Sequence, residues 1–349
     1  MPAGLVLMVM ATGLFVAMLL NAPATLRKSN GKVDNSAWRT SVAEGVDAVS
    51  SFFFLDEPRI AVDEALGRNQ TTDQAIEEVV AEATEDVGPV TPDATPVLRT
   101  PTPSQPLRVY IAGDSMAGGL ADTFVPTSQA SGLVLAEDGH RVSSGLSRPD
   151  FFNWPQFLAR DIDPQNGWDP DVLVIGFGAN DLQNIPVDGG GLTLGSQEWL
   201  DEYRARVAGT MDLVRSGDDD RVTIWMGLPP MGPRSGIDPA VVDQVNAIYR
   251  SEAEGRPWID YLDSWSYLSG ADGAYAEQLP MANGEVRRVR ASDDIHFDVA
   301  GSQRLTWAVL DRLAGWTDLS AAADALVPPA GQAAPADVAE RTELPDPGA

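Results

Sequence analysis

Apolar and polar positions divide the 349-residue chain into stretches of different character. Residues 3–20 are almost wholly apolar and no charge precedes Arg27; a span of that length can cross a bilayer as a helix. Ala22-Pro23-Ala24 also resembles an A-x-A processing site, so residues 1–26 are expected to be a transmembrane anchor or a signal segment. Residues 27–86 read as an acidic, partly helical juxtamembrane segment, with a capping-box pattern at Thr71-Thr-Asp-Gln74. Six prolines between 87 and 106 predict an extended, semi-rigid linker. From 318 to 349 Ala, Pro and acidic residues dominate without any apolar period, which predicts a disordered tail.

Residues 107–317 alternate between two periods. Val109–Ala112 is a short apolar run of strand length, ending at Gly113-Asp114-Ser115. Arg141-Val-Ser-Ser144 leads to Gly145, and Trp154–Ile162 reads as a helix. Val172–Phe177 is the clearest buried strand and stops at Gly178-Ala-Asn-Asp181. Trp199, Tyr203, Val207, Met211 and Val214 recur at helical spacing. Val222–Met226 is a further strand, Val241–Glu254 a helix, and Pro257–Tyr261 the expected last strand. Leu305, Val309, Leu313 and Trp316 mark one side of a closing helix. Strands alternating with helices predict an α/β domain with a parallel sheet covered on both faces. Asp188-Gly-Gly-Gly191 reads as a surface loop insertion or a mobile lip.

Composition removes several chemistries. The chain has no cysteine, hence no disulfide, thiolate metal site or cysteine nucleophile. Its formal charge of −27 opposes nucleic-acid binding, because phosphate backbones are held by Lys and Arg. The two histidines, His140 and His296, are the whole supply of imidazole.

Ser115 stands where a strand end meets a turn, the place where ligands bind α/β sheets; the same position suits a helix cap. A serine hydroxyl needs a base to become a nucleophile. His296 can be that base, with Asp293 three residues before it to accept its Nδ1 hydrogen. Asn180, Gly145 and the Ser115 N–H can donate to an oxyanion, although a turn glycine and a helix cap account for Gly145 and for Asn180-Asp181 taken singly. Asp293, Asp294, His296 and Asp298 form an oxygen-rich cluster that could instead suit a metal; the expectation is a site with no metal and no cofactor.

Gly113-Asp114-Ser115, Gly145, Gly178-Ala-Asn180-Asp181 and Asp293-Asp-Ile-His296 together resemble, in order, the four sequence blocks of the SGNH (GDSL-like) hydrolase superfamily. Ser144-Gly-Leu-Ser-Arg-Pro-Asp-Phe-Phe-Asn-Trp154 and Ile224-Trp-Met-Gly-Leu-Pro-Pro-Met231 are similar to a bacterial branch catalogued as a domain of unknown function. The resemblance spans roughly 107–316. It implies a flavodoxin-like three-layer α/β/α sandwich and metal-free ester hydrolysis or acyl transfer. Ser115 is then the nucleophile, His296 the base and Asp293 its orienting acid, with Gly145 and Asn180 as oxyanion donors and Asp114, Gly178 and Asp181 in support. Asp294 stands where similar proteins often have glycine, and its charge could raise the pKa of His296. The expected protein is a membrane-tethered esterase or acyltransferase on the extracytoplasmic face, although Arg27 and Lys28 favour the opposite topology by the positive-inside rule. Its expected substrate is an acylated carbohydrate of the cell envelope or another ester; the alternatives are a non-catalytic scaffold that keeps the fold and a cytoplasmic regulatory domain.

Overall fold

The computed structural model describes residues 95–163, 167–187, 190–322, 324–329 and 331–341. The segments expected at 1–26 and 27–86, the first part of the linker and half of the Asp188–Gly191 loop lie outside them. Among the described residues no helix is long and apolar enough to cross a membrane.

Five parallel strands form the central sheet: β1 (Leu107–Gly113), β2 (Val134–Asp138), β3 (Val172–Gly176), β6 (Val222–Met226) and β7 (Ile259–Leu262). Between β3 and β6 in the chain lies a small antiparallel hairpin, β4 (Ile185–Val187) with β5 (Gly190–Leu192). A second hairpin, β8 (Gln278–Pro280) with β9 (Val286–Arg288), follows the sheet. The sheet order is β2-β1-β3-β6-β7, the doubly wound arrangement of flavodoxin-like folds. β3 and β6 are buried along their whole length, which is why their sequences run apolar without alternation.

Among the described residues six α-helices join these strands: α1 (Ser115–Ala130), α2 (Trp154–Asp161), α3 (Gln197–Leu213), α4 (Pro239–Glu254), α5 (Ser264–Leu268) and α6 (Val299–Trp316). One sheet face, carrying Val109 and Ile111, packs on Leu120 and Phe124 of α1 and on Leu305, Val309 and Leu313 of α6. The opposite face, carrying Tyr110, Ile175 and Trp225, packs on Trp154 of α2, Tyr203 and Val207 of α3, and Val245 and Ile248 of α4. Each fully buried aliphatic or aromatic side chain contributes roughly 1.5–3 kcal/mol, so three layers supported from both faces make a stiff platform.

Strand β2 is absent from the sequence reading, and Arg141–Ser144 is a turn in the structure. The edge position explains both. β2 alternates buried with exposed residues and ends in two acidic positions, while residues 139–141 only continue its pairing to β1 through Gly139 N–H to Ile111 O and Arg141 N–H to Gly113 O.

Two segments expected to stand clear of the domain lie on it. From the proline-rich stretch, Leu98 is buried in the core and Arg99 pairs with Asp171 at 2.6 Å. From the stretch expected to be disordered, Leu319 is buried, Ala282 N–H reaches Ala333 O, and Arg341 pairs with Asp263 and Asp243. Neither segment has an apolar period because neither docks through one. Single apolar anchors and arginine–carboxylate pairs hold them, and such contacts have no signature in spacing.

Candidate active site

In this sheet the chain turns outward from β1 to β2 and then returns to the other side of β1 for β3. The crevice at the carboxyl ends of β1 and β3 is therefore the switch point at which such folds bind ligands. Gly113 ends β1 with φ +133°, a conformation that disfavours a side chain, and a Cβ there would sit 2.1 Å from the Gly176 carbonyl. The turn leads straight into α1. Asp114, not Ser115, is the helix N-cap: its Oδ1 accepts the Met116 N–H at 2.8 Å. Capping by the neighbour leaves the Ser115 hydroxyl free for another partner.

That partner is His296. Its Nε2 lies 2.7 Å from Ser115 Oγ, across 181 positions of sequence. Asp293 Oδ2 sits 2.5 Å from His296 Nδ1, while Asp293 Oδ1 accepts the N–H groups of Ile295 and His296 at 2.9 and 3.0 Å. The carboxylate is thus fixed from both sides. It orients the imidazole so that Nδ1 carries the hydrogen and Nε2 accepts from the serine.

Burial lowers the pKa of His296, but the hydrogen bond and charge of Asp293, with the charge of Asp114 behind them, outweigh it and the net shift is upward. Burial likewise raises Asp293, yet its bonds to His296 hold its carboxyl well below the usual range. Since the base must be neutral to take a proton, a raised pKa moves the acidic limb of activity upward. We expect kcat/KM for a short-chain aryl ester to rise with pH through a midpoint above 6.5. A pH–rate profile with its midpoint at or below that value contradicts the assigned base.

Asp294 has charged and polar partners of its own. Its carboxylate accepts from Arg234 N–H at 2.9 Å, Arg234 Nη2 at 2.6 Å and Tyr275 OH at 2.6 Å, and Arg234 holds its pKa down to about 2. Its backbone has φ +66°, which accounts for the glycine expected at this position. Asp298 is also engaged, as the N-cap of α6.

The two remaining blocks reach the Ser115 turn from the loops after β2 and β3. Asn180 donates its N–H and its Nδ2 to Asp114 Oδ2 at 3.4 and 3.3 Å. Asp114 is fully buried; burial, with neighbouring Asp181 adding, pushes its pKa up to about 6 against the N–H groups of Met116 and Asn180. Asp181 is also fully buried and raised by burial, and it accepts from Ser147 N–H at 2.7 Å and Tyr203 OH at 2.7 Å. Tyr203 in turn meets Tyr249 at 2.6 Å. A Cβ on Gly145 would lie 2.1 Å from Asp181 Oδ1, so the carboxylate fills the space a side chain would need. Gly178, with φ +119°, packs against Tyr249 and Leu228. Two adjacent buried carboxylates thus serve two different loops: Asp114 holds Asn180, and Asp181 holds the Ser147 N–H beside Gly145.

His140 forms its own pair, with Nδ1 2.6 Å from Asp138 Oδ1, and its ring lies against Gly118 of α1. Of the two imidazoles, the one at 296 meets the serine. Sequence reasoning missed the capping role of Asp114, the Tyr203–Tyr249 pair behind Asp181, and Arg290, described below. No spacing rule marks them: the cap depends on the backbone turn at Asp114, Tyr203 and Tyr249 meet across 46 positions, and Arg290 addresses backbone carbonyls.

Residues 108–312 match the family model described as "Protein of unknown function (DUF459)". No curated protein matches the chain significantly. Among solved structures, a protein from Streptococcus pneumonia described as a platelet activating factor is similar at 14% identity and TM-score 0.41, covering 73% of this chain and 99% of its own. An acetyl esterase variant with an acetate ion is similar at 14% identity and TM-score 0.40, over 60% and 97% of the two chains. A carbohydrate esterase family 3 protein from Talaromyces cellulolyticus shows 14% identity and TM-score 0.41, over 60% and 97%.

Proposed function

The chain belongs to the DUF459 family, and from its site we propose a serine hydrolase or acyltransferase that cleaves ester-linked acyl groups. The observation that carries this reading is the continuous relay from Asp293 to His296 to Ser115, with separations of 2.5 and 2.7 Å. Ser115 Oγ attacks the acyl carbonyl and its proton passes to His296 Nε2. The imidazolium gives that proton to the departing alcohol, which leaves an acyl group on Ser115. Water or a second hydroxyl then attacks, His296 takes its proton and returns it to Ser115 Oγ. Hydrolysis and transfer differ only in that acceptor.

Asn180, Gly145 and the Ser115 N–H are proposed as donors to the oxyanion, the charge that develops on the carbonyl oxygen. The hold of Asp114 on Asn180 and of Asp181 on the loop of Gly145 at Ser147 supports the proposal, because donors fixed in advance need no reorganisation as charge appears. For the substrate we propose an acylated carbohydrate of the cell envelope. The support is the apolar span at residues 3–20 followed by a proline-rich stretch, an arrangement suited to keeping a domain near a surface outside the membrane.

An organophosphonate ester tests the chemistry without knowledge of the substrate. It is expected to add one phosphonyl group to Ser115, located by peptide mass spectrometry, with labelling lost in His296→Gln. Absence of label on the folded wild-type protein would leave the scaffold reading in its place.

A further inference from the structure

Arg290 has no exposed surface. Its Nη1 donates to Pro230 O at 2.7 Å, and its Nη2 donates to Ile295 O at 2.7 Å and Asp294 O at 3.2 Å. Nε reaches His296 O at 3.4 Å, and Met231 Sδ lies 3.8 Å from Nη2. Three of these acceptors are consecutive carbonyls of the loop that carries Asp293 and His296. The fourth belongs to the segment leaving β6. Asp293 and Asp294 act on the guanidinium only through space.

A buried charge with no carboxylate hydrogen-bonded to it, answered by backbone carbonyls and by the faces of Tyr275 at 5.3 Å and Phe297 at 6.0 Å, is an expensive way to fill space, and apolar replacements of buried charges are often neutral or stabilising. What a guanidinium offers and an apolar group does not is a rigid planar fork that fixes several acceptors at once. The loop needs such fixing. It is closed at its neck by pairing of Arg290 with Phe297 and by Ala291 N–H to His296 O at 2.9 Å. Between those points its N–H groups at 295 and 296 turn to Asp293, and its carbonyls turn inward to Arg290.

We infer that Arg290 is the positioning residue of the catalytic base, clamping the carbonyls of residues 294–296 so that the imidazole of His296 faces Ser115. Its buried positive charge also opposes the pull of Asp293 and Asp114 on the imidazole proton. Lysine cannot replace it, because a compact ammonium lacks the fork that spans Pro230 and the loop.

The inference rests on reading His296 as the base, and its test is chosen to separate the two. In 15N-histidine NMR of the full chain, His296 is expected to show one tautomer, protonated at Nδ1, with His140 as internal reference. Arg290→Lys is expected to move the His296 signals toward the mixed tautomers of free imidazole while His140 and the far-ultraviolet circular dichroism stay unchanged. In the same variant kcat for an aryl ester falls about 10- to 100-fold with KM nearly constant, the split expected when a group aiding only the transition state is displaced. Should Arg290→Lys not fold, Arg290→Met carries the same comparison. A folded variant with unchanged His296 signals and unchanged kcat overturns the inference. Displaced His296 signals in a protein whose wild type turns over no ester support the clamp and defeat the hydrolase reading.

Discussion

Replacing Ser115 with alanine is expected to reduce turnover of a short-chain aryl ester by about 10,000-fold or more, leaving the residual rate that binding and oxyanion donors alone sustain. The size of the loss follows from geometry. Ser115 Oγ is the group in contact with His296 Nε2, so its removal leaves a base with no nucleophile to activate. The fold should barely notice. The N-cap bond of α1 comes from Asp114, and Ser115 is only partly buried, so stability should change by no more than about 0.5 kcal/mol. Thermal unfolding and steady-state rates on one preparation check both halves. A Ser115→Ala protein as active as the parent ends the proposed mechanism.

The second large effect is expected from Asp293→Asn, a loss in kcat of the order of 1,000- to 10,000-fold. An asparagine can still accept the N–H groups of Ile295 and His296 through its carbonyl oxygen. Its amide, however, presents N–H hydrogens to Nδ1. The imidazole then has to carry its hydrogen on Nε2, where the serine proton must arrive. Loss of the carboxylate charge also removes the main stabilisation of the imidazolium, so the acidic limb of whatever rate remains should move down. Asp138→Asn is the matched control, because it makes the same change beside His140, which meets no serine. Equal losses in the two variants would mean that the relay at 296 has no special standing.

Sequence patterns disclosed this fold wherever burial was continuous. β3 and β6 lie between two layers of helices, so their strands stand out as unbroken apolar runs. Edge strand β2 and the three-residue hairpin strands bury only part of their surface, and no pattern distinguishes so short a run from a loop. The candidate site was legible for a different reason. Ser115, Asn180, Asp293 and His296 belong to short blocks whose side chains would do the proposed chemistry themselves, so residue type points to the role. The supporting groups escaped because their partners are anonymous in sequence. Arg290 addresses backbone carbonyls, which every residue has. Gly145 is required by the Asp181 carboxylate, 36 positions on in the chain. Asp294 replaces a glycine in a left-handed turn, and only coordinates reveal that Arg234 and Tyr275 take up its charge.

The 181 positions between Ser115 and His296 also set an order of events in the life of the polypeptide. Synthesis delivers Ser115 with the first strand of the sheet and His296 much later, just ahead of α6. In the proposed mechanism Ser115 lacks its own base until α6 has emerged and seated itself beside α1. On that reading a nascent chain carries an inert alcohol. Competence to handle an acyl group is then expected to arrive in one step, with completion of the domain.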